Sequence, residues 1–329
     1  MRRMRAIAVT RPGGPEVLEM VERPRPAFAD DGILVRVRAA ALNRADILQR
    51  RGKYPAPPGW PEDIPGLEYA GEVEAVGSRV SRWRPGDRVM GLVGGGAYAE
   101  YVAVHQDEAL EIPASLSFAE AGAVPESFLT AFDALVVRGR VSAGARVLVH
   151  AVGSGLGTAA VQIARALGAT VVGTSRTASK LEEARGLSLA QGIESRDGKF
   201  AHELTEPVDI VLDVIGAPVW EDNLRVLAPR GRLVLLGFLG ASRGELDLEP
   251  VLRKRIEVIG TVMRTRELRE LAELVARAGR ELLPLFEAGQ LRSIVARTYR
   301  MEDAAEAHRE MERGEVFGKI VLEWDPATG

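Results

Sequence analysis

Three glycines spaced by two, Gly153, Gly155 and Gly157, follow the apolar run Val147–Val149 and precede an alanine-rich stretch that ends at Leu167 and Gly168. A strand running through such a turn into a helix binds anions. The helix's first N–H groups point at the charge, and glycine removes the Cβ where a pyrophosphate must approach. Gly153, Ser154, Gly155, Leu156 and Gly157 are therefore the expected dinucleotide contacts, although Thr158 stands where the last glycine of G-x-G-x-x-G would be. The next apolar run, Thr170–Thr174, ends in Ser175 and Arg176, with Lys180 one helical turn on. A site for an unphosphorylated ribose carries an Asp or Glu there, whereas a hydroxyl and two cations attract a 2′-phosphate. This favours NADPH as the cofactor. The plainer alternative is a solvated helix start, but cations at a helix N-terminus oppose its dipole.

Composition narrows the remaining chemistry. The 329 residues contain no cysteine, which excludes disulfides, thiolate nucleophiles, all-thiolate zinc and cysteine-ligated iron–sulfur clusters. The four histidines, His105, His150, His202 and His308, lack ligand spacing and are expected to be structural, so no metal site is expected. Around Ser154 the first position of a G-x-S-x-G elbow is Val152, which argues against a serine hydrolase. A formal charge of −3 without long like-charge blocks argues against a nucleic-acid or anionic-membrane partner. Residues 147–164 are an uncharged run, but their glycines fit strand, turn and helix better than a membrane span. Arg11 and Pro12 interrupt any signal-peptide core, so a cytoplasmic location is expected.

The elements that must position these residues change character along the chain. Residues 1–125 alternate in polarity between turn residues, as in Gly32–Arg38 and Gly71–Val76, and read as a β-rich unit. From 126 to 265, strands near 146–151, 170–175, 208–214, 232–237 and 257–263 alternate with helices near 155–167, 178–185 and 218–228. That is the pattern of a parallel sheet with crossover helices. Residues 266–329 hold a helix with apolar residues at Leu268, Leu271, Leu274, Val275 and Ala278, then strand, helix and strand, and are expected to return to the first unit and complete its sheet. The fold class is thus α/β: a Rossmann-type doubly wound sheet plus a β-rich domain.

Several ordered motifs now support a resemblance. Ala41–Asp46, Gln49–Pro55, Pro65–Val73, Gly94–Tyr101, Phe128–Ala131 and Gly318–Leu322, together with the glycine turn, resemble the zeta-crystallin-type NADPH:quinone oxidoreductases. These are zinc-independent medium-chain dehydrogenases/reductases, and the motifs are nearest the tumour-suppressor-inducible branch. The resemblance covers nearly the whole chain and implies a GroES-like catalytic domain built from both chain ends around an inserted Rossmann domain. Where zinc-dependent relatives carry Cys and Gly-His-Glu, this chain has Asn43 and Gly66-Leu67-Glu68, which cannot replace a thiolate or imidazole.

The same resemblance implies roles for single residues. Thr130 lies near the cofactor, Phe238 beside the nicotinamide, and Lys319 is counted among the cofactor contacts. Asn43 and Tyr54 fall on the substrate side of the nicotinamide ring. Tyr54 would orient the acceptor or donate its proton, and Asn43 would bond the substrate or the nicotinamide ribose. As an ordinary aromatic, Tyr54 would simply sit on the proline-rich loop that follows it. Asp46 is expected to cap or pair locally. Arg264 and Arg266 would meet the cofactor or a dimer partner. The family's tyrosine near the 2′-phosphate falls on Ser195, a departure from its pattern. The implied activity is hydride transfer from NADPH to a quinone by a homodimer, with an enone as the alternative acceptor and a crystallin-like or RNA-binding role as the non-enzymatic alternative.

Overall fold

Alternating side chains in the first hundred residues produce strands, and the computed structural model, which describes residues 2–324, shows how they pair. In chain order these are β1 (Arg3–Val9), β2 (Leu18–Pro24), β3 (Gly32–Ala41), β4 (Glu68–Val76), β5 (Arg88–Leu92), β6 (Tyr101–His105) and β7 (Ala109–Glu111). Short helices α1 (Arg44–Arg50), α2 (Phe118–Gly122) and α3 (Pro125–Phe132) punctuate them. Beyond α3 come β8 (Arg146–Val149), α4 (Gly155–Ala166), β9 (Thr170–Ser175), α5 (Ala178–Arg185), β10 (Gln191–Glu194), β11 (Val208–Asp213), α6 (Trp220–Val226), β12 (Leu227–Leu235), α7 (Glu249–Lys254) and β13 (Glu257–Gly260). The chain closes through α8 (Leu268–Glu287), β14 (Val295–Arg300), α9 (Ala304–Arg313) and β15 (Lys319–Glu323). Two units result: unit 1 runs to Leu129 and resumes at Met263, and unit 2 is Thr130–Val262.

Unit 1 contains the ribbon β1–β2 and a sheet of order β14-β15-β3-β4-β5-β7, with β6 also paired to β3. In β3 the side chains of Ile33, Leu34, Val35 and Val37 are buried while Arg36 is exposed. They pack with Tyr69, Val89, Tyr98, Ile320 and Leu322. The last strand matters most for the site, because β15 pairs antiparallel with β3, Val321 opposite Ala41, and brings Lys319 to the end of β3. The helix α8 buries Leu271, Leu274, Val275, Ala278, Leu282 and Phe286, a stripe at helical spacing.

Unit 2 is a six-stranded parallel sheet of order β10-β9-β8-β11-β12-β13, the doubly wound order in which the direction of winding reverses between β8 and β11. Ligands of such sheets bind at the carboxyl ends of the strands flanking that reversal. Two elements absent from the sequence reading appear here, the four-residue edge strand β10 and the helix α7. Their brevity leaves too few residues for a period to show. β12 also starts earlier than expected, at Leu227, which pairs with Val208 before the register jumps to Ile210 opposite Arg232 across an irregularity that holds Arg230 in the left-handed region (φ 65°).

Candidate active site

The glycine turn leaves β8 through buried His150. The residue that takes the left-handed conformation is Ala151 (φ 51°), not a glycine. The glycines serve close packing instead. A Cβ on Gly157 would lie 2.6 Å from the carbonyl oxygens of both Ala151 and Val152, and one on Gly153 would strike the Lys180 methylenes at 2.8–3.1 Å. Ser154 caps α4 by accepting the Gly157 N–H at 3.0 Å. Thr158 is accommodated in the third glycine position because it is buried and donates its hydroxyl proton to the Gly155 carbonyl at 2.9 Å. The amides of Gly155 and Leu156 open the helix, where N–H groups have no intrahelical partner.

A buried polar chain supports this turn from behind. His150 Nδ1 lies 2.7 Å from Thr174 Oγ1 and its Nε2 2.8 Å from Asn223 Oδ1, while Asn223 donates to Asp213 at 3.1 Å. Asp213 in turn accepts the N–H groups of Ile215 and Gly216. Burial pushes His150 below its ordinary value, so the ring is neutral between its partners.

At the end of β9, buried Ser175 accepts the Thr177 N–H at 3.1 Å, Arg176 is exposed and Lys180 lies across Gly153. Ser195 enters the same strand end by donating its N–H to the Ser175 carbonyl at 2.9 Å. Phe238, beyond β12, is 55% exposed with its ring against Gly216. On α3 the solvent-shielded hydroxyl of Thr130 has no hydrogen-bond partner among the described residues.

In unit 1 the expected substrate-side residues meet a different environment. Asn43 precedes α1, its N–H donating to Asp46 Oδ2 at 2.7 Å while its backbone carbonyl accepts the Asp46 N–H at 3.0 Å. Its Nδ2 donates to Glu68 at 2.9 Å and to the Ala41 carbonyl at 3.3 Å. Lys319 Nζ donates to Asn43 Oδ1 (2.7 Å), Glu68 Oε1 (2.7 Å) and the Leu42 carbonyl (2.8 Å). All three ammonium protons thus have acceptors within unit 1, where the family resemblance had counted Lys319 with the cofactor contacts. Asn43 likewise has both amide protons engaged and can offer a ligand only an oxygen lone pair. Asp46 further accepts the Gly66 N–H at 3.2 Å and the Tyr98 hydroxyl at 3.3 Å, and burial raises it to about 6.

Tyr54 is half-buried and clamped by Arg264. The guanidinium carbon lies 4.6 Å from the ring centre, Nη1 donates to the Tyr54 carbonyl at 3.0 Å, Nε to Gly94 O at 2.8 Å and Nη2 to Gln49 Oε1 at 2.7 Å. Arg264 therefore secures the proline-rich loop, a role that sequence reasoning did not find. Burial and the Glu126 charge raise the Tyr54 phenol while Arg264 opposes them, so the hydroxyl keeps its proton near neutrality. A cavity of about 50 Å³ within unit 1 is walled by Trp60, Leu67, Glu108, Glu126, Arg264 and Arg266, among others. Leu67 is an apolar wall of it. Among the described residues no group of three or more His, Cys, Asp or Glu is placed to hold a metal ion.

A doubly wound sheet with this turn, together with the mostly antiparallel unit, defines a nicotinamide-dependent oxidoreductase of the medium-chain class. The alcohol dehydrogenase GroES-like domain matches residues 29–114 and the zinc-binding dehydrogenase domain residues 155–277. A quinone oxidoreductase of Pseudomonas aeruginosa is 34% identical, over 94% of this chain and 96% of its own. Among solved structures, the quinone oxidoreductase of Pseudomonas syringae superposes with a TM-score of 0.87 at 30% identity, covering 98% of this chain and 100% of that one. The CurK enoyl reductase does so at 0.85 and 27% identity, covering 98% and 99%. The chain belongs to the quinone oxidoreductase family of the medium-chain dehydrogenases/reductases. The residues of unit 2 fit the nicotinamide nucleotide of that class, with the partnerless Thr130 hydroxyl and the amides at the start of α4 available to it. No helix among the described residues is long and apolar enough to cross a membrane.

Proposed function

We propose that this oxidoreductase uses NADPH to reduce a quinone. The observation that carries the cofactor choice is the end of β9, where Ser175 and Arg176 replace the ribose-binding carboxylate and Lys180 lies across the phosphate turn. When bound, the nicotinamide supplies a hydride. The chain's own residues bind, orient and supply the proton. Ser154, Gly155, Leu156 and Gly157 hold the pyrophosphate, Thr130 and Phe238 flank the nicotinamide, and Lys180 with Arg176 hold the 2′-phosphate. Tyr54, protonated and fixed by Arg264, presents its hydroxyl to the acceptor carbonyl. Asn43 holds the backbone at the start of α1 beside that site and offers its remaining oxygen lone pair.

An Arg176→Ala/Lys180→Ala double variant tests the cofactor assignment: its NADPH:NADH preference in kcat/KM should fall at least tenfold, and an unchanged ratio would refute it. Steady-state assays with para-quinones, ortho-quinones and enones test the acceptor. An enone is the second reading, supported by the likeness to CurK, because hydride addition to an activated alkene needs the same single proton donor. The edge strand β13, with Val258 exposed on it and Val262 exposed just beyond it, supports pairing of two copies as a homodimer, which light scattering of the purified chain would measure. The proposed location is the cytoplasm.

A further inference from the structure

Glu126 opens α3 directly after Pro125, and its N–H donates to Glu68 Oε2 at 2.8 Å, which ties its backbone to the buried Asn43–Glu68–Lys319 cluster. Glu126 lines the 50 Å³ cavity. The charged and titratable groups acting on it come from every neighbouring element: Asp46 on α1, Glu68 on β4, Lys319 on β15, Arg264 beyond β13 and Tyr54 on the proline-rich loop. Glu108 and Arg266 complete the charged part of the wall.

The two cations that act on Glu126 are directed elsewhere. Lys319 bonds Leu42, Asn43 and Glu68, and Arg264 bonds Gly94, Tyr54 and Gln49. Glu68 therefore has the ammonium as its direct partner and Asp46 has two backbone N–H groups. Glu126, the third carboxyl of the group, lines a cavity with room for a few waters.

We propose that Glu126 is the proton donor to the reduced acceptor, with Tyr54 the hydroxyl that orients the acceptor's carbonyl. This rests on the quinone-or-enone reading above. For a quinone, the acceptor would gain two electrons with the hydride, the reduced nicotinamide being the reductant that supplies them. The Glu126 O–H bond breaks as a new O–H bond forms on the acceptor oxygen, and the carboxylate regains its proton from water through the cavity. Burial, with Glu68 and Asp46 adding to it against Lys319 and Arg264, raises the carboxyl to about 7, so about half of the molecules carry the proton at neutral pH.

The test compares wild type, Glu126→Gln and Glu126→Asp in two measurements. The first needs no cofactor: difference infrared spectroscopy of the wild-type protein should show a carboxylic acid that ionises near pH 7, absent from Glu126→Gln. The second is the pH profile of kcat. Wild-type turnover should fall as pH rises through 7, because the donor must be protonated. Glu126→Gln should be slower by about 10²–10⁴-fold with that limb gone. Glu126→Asp should recover part of the rate with the limb moved. NADPH affinity and thermal unfolding of both variants, measured alongside, should match wild type. A Glu126→Gln enzyme that keeps the wild-type rate and falling limb, or a carboxylic acid signal that persists in it, overturns the donor role alone. A wild type that reduces neither quinones nor enones with either nucleotide overturns the reductase reading, and the donor role with it.

Discussion

Arg264 holds Tyr54 by two different surfaces at once, stacking 4.6 Å from the centre of its ring and donating to its backbone carbonyl at 3.0 Å. The phenol is thereby fixed relative to the Gly94 loop, which the same guanidinium also bonds. Lysine cannot reproduce this, since it lacks the planar fork and the stacking face. Arg264→Lys should raise the KM for the acceptor about tenfold, the scale of one lost hydrogen bond to a charged group. Its NADPH dissociation constant, measured by titration calorimetry, should stay unchanged.

Lys319→Met would leave the fully buried Glu68 carboxylate without its ammonium. Breaking a buried pair from one side costs about 3–5 kcal/mol, which urea unfolding would register as a lower midpoint. Adding Glu68→Gln should restore part of that stability, because the stranded charge is removed.

The network around His308 makes stability depend on acid. Its Nδ1 lies 3.1 Å from Arg50 Nη1 and its Nε2 3.3 Å from the Tyr98 hydroxyl, and burial, with Arg50 adding to it, lowers the ring from 6.5 to about 3. The unfolded chain then binds a proton that the folded one does not, so stability present above pH 6.5 is lost as pH falls from 6.5 toward 3. Asp46 acts in the opposite sense. Its folded value of about 6 exceeds the unfolded 3.8, so its contribution is full below pH 3.8 and is lost as pH rises to 6. Each tenfold change in proton affinity on folding is worth roughly 1.4 kcal/mol, and the histidine, displaced further than the aspartate, dominates. Unfolding curves between pH 3 and 7 should flatten in His308→Gln and steepen in Asp46→Asn.

Gly157→Ala would drive a methyl group to 2.6 Å from two carbonyl oxygens of the phosphate turn. The helix must then move away from the turn. NADPH affinity should fall at least tenfold and the unfolding midpoint should drop, both measurable on the same purified variant. A variant with native affinity would show that the turn tolerates the displacement.

The parallel sheet was legible because its strands are short apolar runs and its glycine turn is local, from Val147 to Thr158. What could not be read is long-range. Lys319 lies 276 positions from Asn43 and 251 from Glu68, and Arg264 lies 210 from Tyr54, so no window of sequence contains both partners. The chemistry of each residue was visible, but its direction was not. Asn43 and Lys319 were expected to face ligands, and the closing of β15 onto β3 turns them toward each other. The left-handed residue of the turn was missed for a different reason: alanine rarely adopts that conformation, and three glycines stood nearby. Glu126 carries no motif, and only the cavity it lines sets it apart.

The closing strand also has a consequence in time. Glu68 is made 251 residues before the ammonium that neutralises it. At roughly 5–20 residues per second, the carboxylate leaves the ribosome about ten to fifty seconds ahead of its partner. Over that interval the residues of unit 2 are synthesised without interruption and can fold, while the edge of β3 waits for β15. During synthesis, then, the nascent chain carries an open sheet edge and an unneutralised acid. A chaperone that shields strand edges would act on this half of the molecule, and a ribosome that stalls before Lys319 would release a chain with one finished unit and one that cannot close.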